Sequence, residues 1–291
     1  MLQERPIMIK RLKDIWRLKR GEAVWLVGAG GKTGTLNRLA RDFSYRQVVY
    51  TSTTALLRPD NLPHRLIICN SRAEFFAALK SYRLSKKSEI LVPAASQIKR
   101  WPGDKKKRKV KGLPVEWITS AVERYPGLIF LIEADGAGNR CCKAPADWEP
   151  VLPVNPEVLL LIQGLSGLGK TISSRISHRP EIISSDTKSR YLNLRVYREL
   201  FASRDWYGEH LKTAGRAYLL LSQASRNRRL LTGKLAAELL KKIEKQRNSY
   251  LSRVKGITAV DYRSALEWLY HLEIRKDGLK WLMLNSRSKR I

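Results

Sequence analysis

Short, wholly apolar runs alternate along the chain with segments whose apolar residues recur every three or four positions. The first kind reads as buried strand and the second as amphipathic helix. Residues 24–27 form the first apolar run, and Leu36, Leu39, Ala40 and Phe43 then share one helical face. Strands are expected at 48–50, 66–69 and 90–92, with a helix through Phe75, Phe76 and Leu79 before the last. A helix over Trp117, Ile118, Ala121 and Val122 leads into a long strand at 128–132, and residues 158–162 form another. Beyond Pro180 the pattern turns helical through Tyr191, Leu194 and Tyr197. It then gives a strand at 218–221, a helix over 230–246, a short apolar segment at 257–260, a helix over 264–271 and a basic tail. Before the first strand, Ile9, Leu12, Ile15 and Trp16 lie on one face of a short basic helix that Gly21 can end.

Alternating strands and helices predict an α/β fold: a mostly parallel sheet with helices on both faces and a helical C-terminal part. The expected division is an N-terminal basic helix (1–20), a P-loop-like nucleotide-binding domain (21–235) and a basic, mostly helical part (236–291). No fixed-period repeat interrupts this plan.

The connection from first strand to first helix carries the main candidate chemistry. Gly28, Ala29, Gly30, Gly31, Lys32, Thr33 and Gly34 follow the apolar run directly. Glycines let backbone N–H groups close around phosphate oxygens, and the helix N-terminus adds unpaired donors and a positive dipole. Lys32 would reach the terminal phosphates and Thr33 would hold Mg²⁺. The stretch is a shortened Gly-x-x-Gly-Lys-Thr form, since Leu26 stands where the standard P-loop has glycine. The same letters approach a dinucleotide fingerprint, which leaves an NAD(P)-binding Rossmann oxidoreductase as an alternative. That reading wants an acid about 20 residues on, and the second strand ends instead in Thr51-Ser52-Thr53-Thr54.

A second informative junction is the strand at 128–132 running into Glu133-Ala134-Asp135-Gly136. A carboxylate at a strand's C-terminal end can bind Mg²⁺ opposite the lysine, so Asp135 is expected as metal ligand and Glu133 as the group that orients water or an acceptor. A third stretch, from Gly164 to Gly169-Lys170-Thr171, matches the standard P-loop in every letter. The residues after it have too few helix-spaced apolar positions before Pro180 to form the required helix. Lys170 is therefore expected at the rim of the pocket rather than at its centre.

Charge changes the picture of partners. With 56 Lys+Arg against 26 Asp+Glu the formal charge is +30, which attracts phosphate-bearing partners such as nucleotides or nucleic acids. The stretch 96–112 contains Trp101 and the cluster 105–109 without periodicity, so an exposed basic loop able to touch nucleic acid is expected. Three cysteines, Cys69, Cys141 and Cys142, are too few for a disulfide framework and imply a reducing compartment. The four histidines lack metal-ligand spacing. No apolar run is long enough to span a membrane, and a cytoplasmic setting is expected.

Several motifs in order resemble those of the YqeC family, described as accessory proteins for selenium-dependent molybdenum hydroxylases. They are residues 27–33, 51–54 and 133–137, Lys143-Ala144-Pro145, Glu149-Pro150 with Pro153, Gly164 with Gly169-Lys170, and His178-Arg179-Pro180-Glu181. The resemblance implies a P-loop-like NTP-binding fold, a cytoplasmic setting and a role in maturing a selenium-containing molybdenum enzyme; with the residues read above, ATP or GTP and Mg²⁺ are the expected cofactors. That enzyme or its cofactor machinery would then be a partner. Gly34 stands where the family tends to repeat threonine, and Trp148 replaces a histidine. Ser222-Gln223-Ala224 stands where an Asn-Lys-x-Asp-like sequence is commoner, which favours ATP over GTP.

Overall fold

The computed structural model describes residues 11–59, 61–98, 109–246, 248–262, 268–275 and 278–285. In chain order the strands are Ala23–Gly28 (β1), Val48–Ser52 (β2), Ala55–Leu57 (β3), His64–Ile68 (β4), Ile90–Ala94 (β5), Ser96–Ile98 (β6), Lys109–Lys111 (β7), Ile129–Glu133 (β8), Cys142–Lys143 (β9), Val158–Gly164 (β10), Ser177–His178 (β11), Arg216–Ser222 (β12), Val254–Asp261 (β13), Trp268–Arg275 (β14) and Gly278–Asn285 (β15). The α-helices are Leu12–Ile15 (α1), Lys32–Asp42 (α2), Arg72–Leu84 (α3), Val115–Arg124 (α4), Pro180–Thr187 (α5), Leu194–Ala202 (α6), Glu209–Thr213 (α7) and Arg229–Lys245 (α8).

One sheet of ten strands dominates, in the order β15-β14-β13-β12-β10-β1-β8-β2-β5-β4. The pairs from β13 to β4 are all parallel. Parallel strands need cover on both faces, which is why β1, β2, β5, β8 and β10 are buried at every position. Alternate residues feed two cores. Val24, Leu26, Tyr50, Leu131 and Leu160 pack under α1 and α2. Trp25, Val27, Phe130, Leu161 and Leu219 pack against α3, α4, α6 and α8. Local chemistry sets the helix starts: Ser71 caps α3 by accepting from the Glu74 N–H at 3.2 Å, and Asn193 caps α6 through the Val196 N–H at 3.0 Å. Pro180 opens α5 at a position where a missing N–H costs nothing.

Three expectations are corrected. The C-terminal part is not mostly helical. After α8 the chain adds β13 parallel to β12, and then β14 and β15 in antiparallel pairing. Residues 268–271 of the expected helix 264–271 are strand, and residues 264–267 lie outside the described residues. The stretch 96–112 is not loop throughout, because its ends pair as β6 and β7, and β7 also pairs with β3. Its centre, including Trp101 and residues 105–108, lies outside the described residues. Tyr191 is not helical but makes an isolated bridge to Thr171. Ile9 of the N-terminal helix also lies outside the described residues, and the described helix is the single turn α1. Among the described residues no helix is long and apolar enough to cross a membrane.

The topology creates one natural crevice. From β1 the chain leaves toward β2 over the face that carries α2, whereas from β10 it leaves toward β12 over the opposite face, through α5, α6 and α7. The C-terminal ends of β1 and β10 therefore part company, and such a switch point is where parallel α/β sheets receive ligands.

Candidate functional site

The glycine turn occupies that switch point. Gly28 and Gly30 have φ of +90° and +76°, which disfavours any other residue. Neighbouring backbone also forbids a side chain, because a β-carbon on Gly28 would lie 2.1 Å from the Ile162 carbonyl oxygen and one on Gly30 would lie 2.2 Å from that of Cys141. The Ala29 N–H donates to the Ile162 carbonyl at 2.7 Å, and Ser222 Oγ donates to the Gly30 carbonyl at 2.6 Å, so β10 and β12 hold the turn. Gly31 is the N-cap, and α2 begins at Lys32 without a side-chain cap. Its first N–H groups are left for an outside acceptor. They face a cleft of about 800 Å³ lined by Gly30, Gly31, Lys32, Thr33 and Gly34 on this side.

Beneath the cleft lies a chain of alternating charges. Lys32 is 4 % exposed; its Nζ donates to Asp135 Oδ1 at 2.6 Å and to the Gly28 carbonyl, and lies 3.7 Å from Glu133 Oε1. Burial alone would lower the Lys32 pKa, but Asp135 and then Glu133 outweigh it and the ammonium is held more firmly than usual. Asp135 Oδ2 accepts the Gly28 N–H at 2.9 Å and lies 3.3 Å from Lys143 Nζ. Lys143 reaches Glu149 Oε2 at 2.7 Å, and Arg179 donates to the same carboxylate. Burial, aided by Lys32, pushes the Lys143 ammonium down against the pull of its acids. Burial works against ionised Glu149 too, yet Lys143 and Arg179 hold its carboxyl below the usual range. Glu133 is different. Its carboxyl is pushed up by burial and by Asp135, with Lys32 only partly compensating.

The structure thus brings together Gly28, Ala29, Gly30, Gly31, Lys32, Thr33, Glu133 and Asp135, but not all in the expected roles. Glu133 and Thr33 line the cleft, whereas Asp135 is fully buried under it with both oxygens engaged. Lys170 is exposed and does not line the cleft. The standard P-loop letters around it fold as a single 3₁₀ turn, Leu165–Gly167, with no α-helix after it before Pro180. Its glycines serve packing: a β-carbon on Gly164 would lie 2.6 Å from Gln223 Oε1, and one on Gly167 would lie 2.6 Å from Cys141 Sγ. Cys141 donates its thiol to the Ile176 carbonyl at 3.1 Å. A hydrogen bond from Cys142, then Ser166 and Tyr197, brings the Cys141 thiol down to about 7 against the opposing effect of burial.

Sequence reasoning missed Lys143, Glu149, His178 and Arg179 as site residues. Parallel pairing of β9 with β11 sets His178 beside Lys143, and Glu149 and His178 line the cleft opposite the glycine turn. Burial, with Lys143 and Arg179 nearby, lowers the His178 pKa. The signal was present in the motifs around 143, 149 and 178, which carried the family resemblance without an assigned role. Gln223, Asp261 and Tyr262 complete the cleft from the ends of β12 and β13. Among the described residues no group of three or more His, Cys, Asp or Glu could hold a metal ion. Thr33, with Glu133 acting through water, would hold a Mg²⁺ here, and the ion would supply positive charge against an anionic ligand. Asp135 does not fit as a direct ligand, because its oxygens already hold Gly28, Lys32 and Lys143.

The model of the YqeC protein family matches residues 24–181 of the chain. The chain is also 29 % identical over 168 residues to "Uncharacterized protein YqeC" of Escherichia coli (strain K12). That match covers 57 % of this chain and 60 % of the relative, so the chain spans less than two thirds of that protein. No solved structure matches the chain.

Proposed function

The chain belongs to the YqeC family, and we propose that its cleft binds a nucleoside triphosphate with Mg²⁺, phosphates on the 28–33 turn. One observation carries this reading: two left-handed glycines at a sheet switch point feed an uncapped helix whose first residue is a buried lysine locked to a buried acid just past the end of β8. That combination concentrates unpaired N–H donors and positive charge where the sheet opens. Lys32 has three ammonium hydrogens; Gly28 and Asp135 take two, and Glu133, on the cleft wall, lies 3.7 Å from the same nitrogen. Asp135 acts as the residue that positions Lys32. Glu133, held toward its protonated form by burial, is suited to exchange a proton with an acceptor or a water at the terminal phosphate. When bound, Mg²⁺ would neutralise charge on the phosphates.

Phosphoryl or nucleotidyl transfer and an NTPase switch both fit this geometry. In the accessory role that the family resemblance implies, either would act in the cytoplasm on a selenium-dependent molybdenum hydroxylase or its cofactor machinery. The dinucleotide alternative is less well served, because β2 ends in Thr51 and Ser52, both buried, without an acid for a ribose. Thr33→Val tests the assignment. The change keeps shape and removes the hydroxyl, so ATP affinity with Mg²⁺ should fall about tenfold while metal-free affinity stays within about twofold. Equal affinities with and without the hydroxyl would refute the metal-side role.

A further inference from the structure

Ser222-Gln223-Ala224 carries no carboxylate, which on sequence grounds favours adenine over guanine. The fold reverses that balance. β13 lies parallel to β12, with Ala259 beside Leu221, and so delivers Asp261 and Tyr262 to the end of the cleft that Gln223 occupies. We infer that this end is a purine pocket selective for guanine, with Asp261 as the specificity-determining residue. The inference rests on the nucleotide reading above and adds the base to it.

With phosphates on the glycine turn, the rest of a nucleotide can run toward β3 and β7, toward β8 and β9, or toward β12 and β13. The first wall, Thr54, Ala55, Leu57 and Lys109, offers neither an aromatic ring nor a carboxylate to read a base. Toward β8 and β9 the walls are Glu133, Glu149, Arg140 and His178. Those groups suit a phosphate and an acceptor, and a purine lying over them would strip their water without pairing them. Toward β12 and β13 the wall is an aromatic ring, an amide and a carboxylate. The Tyr262 ring sits against the first turn of α2, where a β-carbon on Gly34 would come within 3.1 Å of it, and its hydroxyl shares a hydrogen bond of 3.0 Å with Thr35 Oγ1. Gly34 thus leaves room for an aromatic ring beside the phosphates, and such a ring is a stacking platform for a base. The departure from threonine at this position has a use.

The two polar groups at this end then read the base. Gln223 takes a left-handed backbone conformation, φ +54°, and its Oε1 accepts from Ser166 Oγ, which directs the amide nitrogen as donor. A donor beside a carboxylate complements guanine, whose edge offers the O6 acceptor followed by the N1–H and 2-amino donors. Adenine offers one amino donor next to the N1 lone pair, so the carboxylate would face a second acceptor and one polar group would stay unpaired. Sites built to hydrogen-bond a substrate group reject analogues that lack it far more strongly than apolar pockets reject a methylene.

The test is a set of affinities measured on the full chain with Mg²⁺ complexes of GTP, ATP and inosine triphosphate, then on Asp261→Asn with GTP and xanthosine triphosphate. The unchanged chain should bind GTP about tenfold or more tighter than ATP, and tighter than inosine triphosphate, which lacks only the 2-amino group. Asp261→Asn should lose the preference for GTP and bind xanthosine triphosphate better, because an amide N–H can donate to the 2-oxo group. The inosine comparison uses unchanged protein, so misfolding of the variant cannot hide the answer. Equal or tighter binding of ATP or inosine triphosphate by the unchanged chain, or GTP preference retained by folded Asp261→Asn, overturns the guanine assignment and leaves the phosphate site standing. Absence of binding by every triphosphate overturns the phosphate site as well.

Discussion

Replacing Lys32 by methionine removes a cation that two structures share: the proposed phosphate site and the folded core. Lys32 is 4 % exposed and Asp135 is fully buried, with 2.6 Å between Nζ and Oδ1. Removing one partner of a buried ion pair typically costs ~3–5 kcal/mol, because the remaining charge is left uncompensated. Asp135 keeps the Gly28 N–H at 2.9 Å and Lys143 at 3.3 Å, so the lower end, ~3 kcal/mol, applies here. Urea unfolding followed by circular dichroism measures it, with an unchanged m-value required before midpoints are compared. The companion Asp135→Asn should be costly too. The double variant should lose at least ~1 kcal/mol less than the sum of the singles, since contacting residues are coupled. A Lys32→Met loss under ~1 kcal/mol, or strict additivity, would refute the view that this pair is one buried unit. The same logic predicts that Asp135→Asn weakens ATP binding equally with and without Mg²⁺, through Lys32 rather than through the metal.

Other consequences are open to simpler assays. His271 is buried, and its Nδ1 bonds Thr258 Oγ1, which also accepts the Trp16 indole N–H at 3.0 Å. Burial brings its pKa down to about 4 in the fold, so the native state binds fewer protons than the unfolded chain between that value and the ordinary ~6.5. Its contribution, ~3 kcal/mol, is present above pH ~6.5 and is lost as pH falls toward about 4, and His271→Gln should flatten that slope in urea midpoints. Gly30→Ala should abolish or severely lower stability, judged by thermal unfolding, whereas Gly136→Ala, where nothing lies within 4 Å of the added carbon, should be tolerated. Lys170→Ala should leave ATP affinity within about twofold by calorimetry, because the side chain is exposed away from the cleft.

The phosphate turn was legible because it is local. An apolar run, glycines and a helix-spaced stretch stand within twenty consecutive residues, and their conformation depends mainly on backbone sterics. The charge chain from Lys32 through Asp135 and Lys143 to Glu149 and Arg179 was not, because parallel pairing of β1 with β8 and of β9 with β11 assembles it from four distant stretches. Spacing along the chain also misplaced Asp135. A continuing strand would have set it beside Glu133 on one face, but β8 ends at Glu133 and Asp135 turns beneath the glycine turn. The stretch at 164–171 shows the reverse error that letters invite, since its glycines relieve contacts with Gln223 and Cys141 and no α-helix follows directly. At 268–271, edge pairing between β13 and β15 decides for strand where apolar spacing suggested helix, and the aromatic residues Trp268 and Tyr270 were the overlooked hint.

The central claim is that the glycine turn binds triphosphate together with Mg²⁺. Calorimetric titration of the unchanged chain with ATP, GTP, NADP and a short RNA, each with and without Mg²⁺ and at two salt concentrations, tests it most directly. The account predicts saturable one-to-one binding of a triphosphate that Mg²⁺ tightens, with weaker binding of NADP. Triphosphate binding that ignores Mg²⁺, or tighter binding of NADP, or affinity confined to RNA with a steep salt dependence, would contradict it.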